Sequence, residues 1–147
     1  MKPFTVEIES ALPREPVIEL FDNPDNLAKW QTGLQSFEHI SGEPEQPGAK
    51  SKLVFLIGKR EIELIETIAQ RNLPDEFNGT YEWPGGSNTL QNRFIELGPD
   101  RTKWESTCAY DFSSFIPKLM GFFCPGMFRR QNLRFMQNFK EFAEEST

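Results

Sequence analysis

The sequence predicts an α+β fold in which a curved, seven-stranded antiparallel sheet wraps around a long C-terminal helix, with two short helices after strand 1. Three observations predict it. Apolar and polar residues alternate at the N-terminus, β-rich runs separated by turn residues fill the middle, and the last part of the chain switches to helical spacing.

Strand 1 is read from Phe4, Val6 and Ile8 alternating with Thr5, Glu7 and Glu9, the period of a strand with one wet face. Leu12-Pro13-Arg14-Glu15-Pro16 then leads into Val17, Ile18, Leu20 and Phe21 at helical spacing. Asn23-Pro24 stops that helix, and Asp25 starts a second short one reaching Trp30. Residues 37–40 read as a short strand, and Gly42-Glu43-Pro44-Glu45-Gln46-Pro47-Gly48 as a turn-rich connection. The runs 50–57 and 60–70 flank Gly58-Lys59, a two-residue hairpin signal. Further strands are expected over 76–83, 89–97 and 102–112, divided by Pro84-Gly85-Gly86 and Gly98-Pro99-Asp100-Arg101, with sequential antiparallel pairing as the simplest topology. Beyond Ser113-Ser114, Phe128, Phe135, Met136, Phe139, Phe142 and Ala143 recur at three and four, the stripe of an amphipathic helix bounded at its start by Pro125-Gly126. With no internal repeat or linker, residues 1–147 are expected to form a single domain.

Composition narrows the function. A chain of 147 residues buries roughly 70% of its unfolded surface, and 14 Phe against 2 Tyr must be housed in that interior. The net charge of −6 argues against general nucleic-acid binding, which needs a concentrated basic surface. Charge is uneven: residues 1–100 carry 9 basic and 17 acidic side chains, whereas 101–147 carry 7 and 5. Cys108, Cys124 and the lone His39 have no zinc or CxxC spacing, so no metal or cofactor is expected and the thiols fit a reducing cytoplasm. The opening MKPFTVEIES lacks the apolar run of a signal peptide. Residues 115–128 are the most apolar stretch, but at 14 residues, broken by Lys118, Pro125 and Gly126, they are too short for a transmembrane helix. Pro84-Gly85-Gly86-Ser87 precedes a strand, which excludes a phosphate loop.

The order strand, two short helices, six strands, long helix resembles the START-like superfamily, also called SRPBCC or Bet v 1-like. The residues carrying the resemblance are the strand 4–9, Pro13-Arg14-Glu15-Pro16-Val17-Ile18-Glu19-Leu20-Phe21, Asn26-Leu27-Ala28-Lys29-Trp30, the turn Pro47-Gly48, residues 66–74 and the terminal helix. It covers essentially the whole chain and is a pattern of elements more than a catalytic motif. The resemblance implies a helix-grip fold with an internal pocket. Members bind lipids, sterols or polyketides, cyclise aromatic polyketides, hydrolyse ring substrates when joined to iron–sulfur domains, or assist chaperones.

If Phe4, Val6 and Ile8 face inward, parity assigns Leu53/Phe55/Ile57, Phe77/Gly79/Tyr81/Trp83, Leu90/Asn92/Phe94 and Trp104/Ser106/Cys108/Tyr110/Phe112 to the same face. Small or polar positions among these rows leave room for a ligand, the competing reading being a solid core. Glu66 falls in line with Ile62, Leu64 and Ile68, which aims a carboxylate into apolar surroundings and makes it the candidate acid/base. A bulge near Leu64-Ile65, or a structural salt bridge, is the alternative. Trp30, Phe55, Glu66, Tyr81, Asn92, Tyr110 and Phe135 are the candidate ligand-binding residues; the two tyrosines and Asn92 are also read as satisfied core polar groups. His39 is read as a surface residue.

Residues 115–140 contain Lys118, Arg129, Arg130, Arg134 and Lys140 and no acidic side chain, interleaved with Phe122, Phe123, Phe128, Phe135 and Phe139. Such a surface suits peripheral contact with an anionic membrane, or the aromatics pack under the sheet while the bases stay solvated. Phe115, Leu119, Met120, Phe122 and Phe123 would then form an entrance lid. The leading expectation is binding of a small apolar molecule in an internal cavity. The alternatives are a cyclase/dehydratase acting on a polyketide-like or aromatic substrate, with Glu66 as acid/base and Tyr81 or Tyr110 polarising a carbonyl, and a protein- or membrane-interaction module. A monomer or small homo-oligomer fits equally.

Overall fold

A computed structural model describes residues 3–57, 59–112 and 125–146, with the side chains of 57, 112 and 125–127 outside that description. Strand β1 (Phe4–Ser10) is followed by α1 (Arg14–Phe21), a 3-10 turn (Pro24–Asn26) and α2 (Leu27–Trp30). Strands β2 (Leu34–Ser41), β3 (Lys50–Ile57), β4 (Arg60–Asn72), β5 (Glu76–Trp83), β6 (Gly86–Gly98) and β7 (Arg101–Phe112) precede the helix α3 (Pro125–Glu145). All pairings are antiparallel, in the order β1-β7-β6-β5-β4-β3-β2.

Local chemistry explains the boundaries. Pro16 sits in the first turn of α1, where a backbone N–H has no helical partner to lose, and Glu15 there complements the helix dipole. Asn23 ends the connection by accepting the Asp25 amide with its side chain at 3.0 Å. Gly33 then turns the chain with φ +91°, and its carbonyl accepts the Leu56 amide at 2.7 Å. A Cβ there would stand 2.7 Å from the Leu56 carbonyl oxygen, so only glycine allows β2 to meet β3 so closely.

Several strands run longer than the sequence reading. Strand β2 begins at Leu34, paired with Phe55, and β6 at Gly86, where Trp83↔Gly86 and Gly86↔Phe112 pairing overrides the weak strand preference of glycine and serine. The break in β4 lies between Ile68 and Gln70, not near Leu64-Ile65. Residues 62 to 68 therefore hold strict alternation, and Glu66 and Ile68 are both buried.

The inner face of the sheet follows parity across the strands. Val6, Leu53, Phe77, Phe94, Trp104 and Cys108 are all buried. Helix α3 answers with Met136, Phe139 and Ala143, each at most 2% exposed and spaced three and four apart. Phe21 anchors the centre, with ring centroids 4.9 Å from Phe94 and 5.3 Å from Trp104 in edge-on geometry. Among the described residues no helix is long and apolar enough to cross a membrane. The expected lid, Phe115, Leu119, Met120, Phe122 and Phe123, lies outside the described residues, as does Cys124.

Candidate functional site

Where the inner sheet face stands away from α1, α2 and α3, it leaves a cavity of about 90 Å³. That is several times what one water needs and below the roughly 300–1,000 Å³ of pockets for drug-sized ligands. Seven aromatic side chains border it: Phe21, Trp30, Phe37, Phe77, Tyr81, Trp104 and Phe135. The polar groups on its wall include Asp22, Gln31, Glu45, Glu66, Asn92, Ser106 and Asn132.

Five of the seven side chains singled out from sequence border this space: Trp30, Glu66, Tyr81, Asn92 and Phe135. The other two lie beyond it. Phe55 stacks on Phe135, with centroids 6.2 Å apart. Tyr110 packs between Phe4 and Phe128 at 6.0 and 4.6 Å, and its hydroxyl accepts from Asn132 Nδ2 at 3.2 Å. Burial pushes that phenol up to about 12. Asn92 is held as a core polar group, its Oδ1 accepting the Trp104 indole N–H at 3.0 Å.

Glu66 is the buried acid of the site. Strand β4 aims it inward between Leu64 and Ile68, and it pairs in register with Tyr81 on β5. The Tyr81 hydroxyl donates to Glu66 Oε2 at 2.7 Å, and no hydrogen bond from the described residues reaches Oε1. Burial raises the Glu66 carboxyl above its ordinary range, and the Tyr81 hydrogen bond opposes that rise. Burial, together with the neighbouring Glu66 carboxylate, raises the Tyr81 phenol well above its usual value, so it remains a donor. The Trp30 indole N–H is buried with no hydrogen-bond partner among the described residues.

Two charged groups at the site had no clear signal in the sequence. The bulge after Ile68 reverses the parity of β4 and turns Arg71 inward, in register with Phe77. Its guanidinium makes a two-pronged bond to Asp22 after α1, both contacts at 2.6 Å. Glu45, in the loop between β2 and β3, holds φ +63° and turns half-buried toward the cavity. Desolvation, Glu66 and Asp22 push its carboxyl up to about 7 against the pull of Arg71. Parity applies only to strands, so a loop carboxylate and a residue past a bulge escape it.

Among the described residues no group of three or more His, Cys, Asp or Glu could hold a metal ion. His39 is exposed on β2 and bonds the Gly42 carbonyl at 2.8 Å. Arg129, Arg130 and Arg134 are exposed on α3.

No family model matches the sequence, and no curated protein does. Solved structures match over nearly the whole chain. A conserved protein from Geobacillus kaustophilus superposes with a TM-score of 0.82 at 17% identity, covering 99% of this chain and 97% of the other. The Zhui aromatase/cyclase from Streptomyces sp. R1128 gives 0.81 at 11% identity over 97% and 93%. A START superfamily protein from Mycobacterium smegmatis gives 0.79 at 12% over 99% and 99%. This chain has the START-like helix-grip fold. At such identities the likeness concerns the backbone, and the chemistry of this chain rests on its own side chains.

Proposed function

We propose that this START-like chain binds a small, largely apolar ligand in the cavity beneath α3, with Glu66 and Tyr81 receiving a polar group of that ligand. The observation that carries the reading is the Glu66–Tyr81 pair set in a wall that also holds six further aromatic side chains. A carboxyl kept nine-tenths buried is costly unless something besides apolar surface meets it. Tyr81 supplies one bond, and a ligand donor at Oε1 would supply another. The space favours ligands of about one ring over long-chain lipids.

Trp30 and Trp104 border the cavity, so their fluorescence reports its contents directly. Titration with a panel of one-ring compounds is expected to give saturable changes. Ser106→Leu, which projects a larger side chain into the same space, abolishes them while the protein still unfolds cooperatively. Equal responses from wild type and Ser106→Leu place binding elsewhere and sink the proposal.

A second reading, acid/base catalysis on the bound molecule, draws support from the raised Glu66 carboxyl. A group that holds its proton closer to neutral pH than an ordinary carboxylate can both donate and accept one. Turnover of a bound panel member, lost in Glu66→Gln, would establish it. Binding without turnover across the panel leaves the chain a binder.

A further inference from the structure

We propose that the cavity selects an organic ammonium ion, a small amine on an apolar body of about one ring, with Glu66 and Glu45 as its counter-charges. This rests on the cavity-binding reading and names the chemical class of the ligand. The charges on the wall are one-sided. Asp22, Glu45 and Glu66 border the cavity, and no Lys, Arg or His does among the described residues. Arg71, which faces Asp22 and Glu45, is already committed to Asp22 through both of its terminal nitrogens. Glu66 and Glu45 are thus left without a cation in any ion pair among the described residues.

Glu66 is 9% exposed, aimed into the space and bonded to Tyr81 through Oε2, which leaves Oε1 for a donor on the ligand. An ammonium has three donors and no acceptor, which suits the carboxylate oxygens and ring faces of the wall and leaves the Trp30 indole N–H to the apolar body. The rings of Phe21, Trp30, Phe37 and Trp104 add favourable surface for both the apolar body and the positive charge. An anion would meet two carboxylates that stand outside any ion pair among the described residues, and a neutral alcohol would fill the cavity without using its charge. An ammonium also requires ionised partners, so the proton that burial favours on Glu45 opposes its entry. Binding then tightens from about pH 6 to about pH 8, across the Glu45 transition near 7.

Fluorescence titration of the full chain with benzylamine, benzyl alcohol and benzoate tests this. Benzylamine is expected to bind at least about tenfold tighter than benzyl alcohol, and benzoate weakest of the three. Glu66→Gln keeps an acceptor for Tyr81, removes the charge and brings the amine-to-alcohol ratio to about one; Glu45→Gln lowers it partway. If the alcohol or benzoate matches the amine in wild type, or if Glu66→Gln leaves the ratio unchanged, the ammonium assignment falls and the cavity reading stands. If none of the three perturbs the tryptophans, both fall.

Discussion

A hydrogen bond between a phenol and a buried carboxyl ties two neighbouring strands together at the site. Tyr81→Phe removes the donor and leaves Glu66 without its one hydrogen bond among the described residues. We expect a loss of about 1–3 kcal/mol in urea unfolding and a Glu66 carboxyl raised further, readable by carbon-detected NMR titration. A wild-type-like titration in Tyr81→Phe would show that the pair is not coupled. Glu45 makes a pH-dependent contribution of definite sign. Its folded carboxyl titrates at about 7 against an ordinary 4.5, so between those values the folded state holds the extra proton. Its share of stability is fully present below 4.5 and is lost as pH rises through about 7. Glu45→Gln should therefore flatten the decline in unfolding free energy between about pH 5 and about pH 8. An unchanged slope assigns the decline to another group.

At the scale of elements, the bulge in β4 matters more for the site than any regular stretch of strand. One extra residue between Ile68 and Gln70 redirects Arg71 to the cavity side and lets it clamp Asp22, linking the sheet to the end of α1. The same helix brings Phe21 and Asp22 to the cavity wall. The Arg71 and Asp22 side chains are 22% and 27% exposed, so solvent screens part of the attraction. Arg71→Ala is expected to cost about 1–3 kcal/mol in denaturant unfolding. It should also loosen α1, visible as faster amide exchange at residues 17–21. A loss confined to global stability, with α1 protection intact, would mean the clamp does not hold the helix.

For the whole molecule, stability and cavity come from one arrangement: α3 packs against the open sheet through a stripe that fills most of the space between them. Met136, Phe139 and Ala143 close the interior against Val6, Trp30 and Trp104, while the cavity persists beside Phe135 and Met136. Phe139 is 1% exposed and stands 5.3 Å from both Trp30 and Trp104. Phe139→Ala should cost about 3–5 kcal/mol, measured by urea unfolding. A cost below about 1 kcal/mol would show that the core collapses around the gap.

Much of this was legible because alternation and helical periodicity are local consequences of backbone geometry. Residues 4 to 8 show the first, and Phe135, Met136, Phe139, Phe142 and Ala143 the second; with the turn residues between, they determined the element order and the inward face of β1, β3, β5, β6 and β7. Glu66, Tyr81 and Asn92 were singled out by that parity, Phe135 by the helical spacing, and Trp30 from the end of its short helix. Only the tertiary structure decided the rest. Whether the break in β4 falls before or after Glu66 depends on pairing with β5, which no period within one strand encodes. The union of Glu45, Asp22 and Arg71 joins a loop, a helix end and a shifted strand far apart in sequence. The volume of the cavity follows from how far α3 stands from the sheet, a distance set by every side chain packed between them.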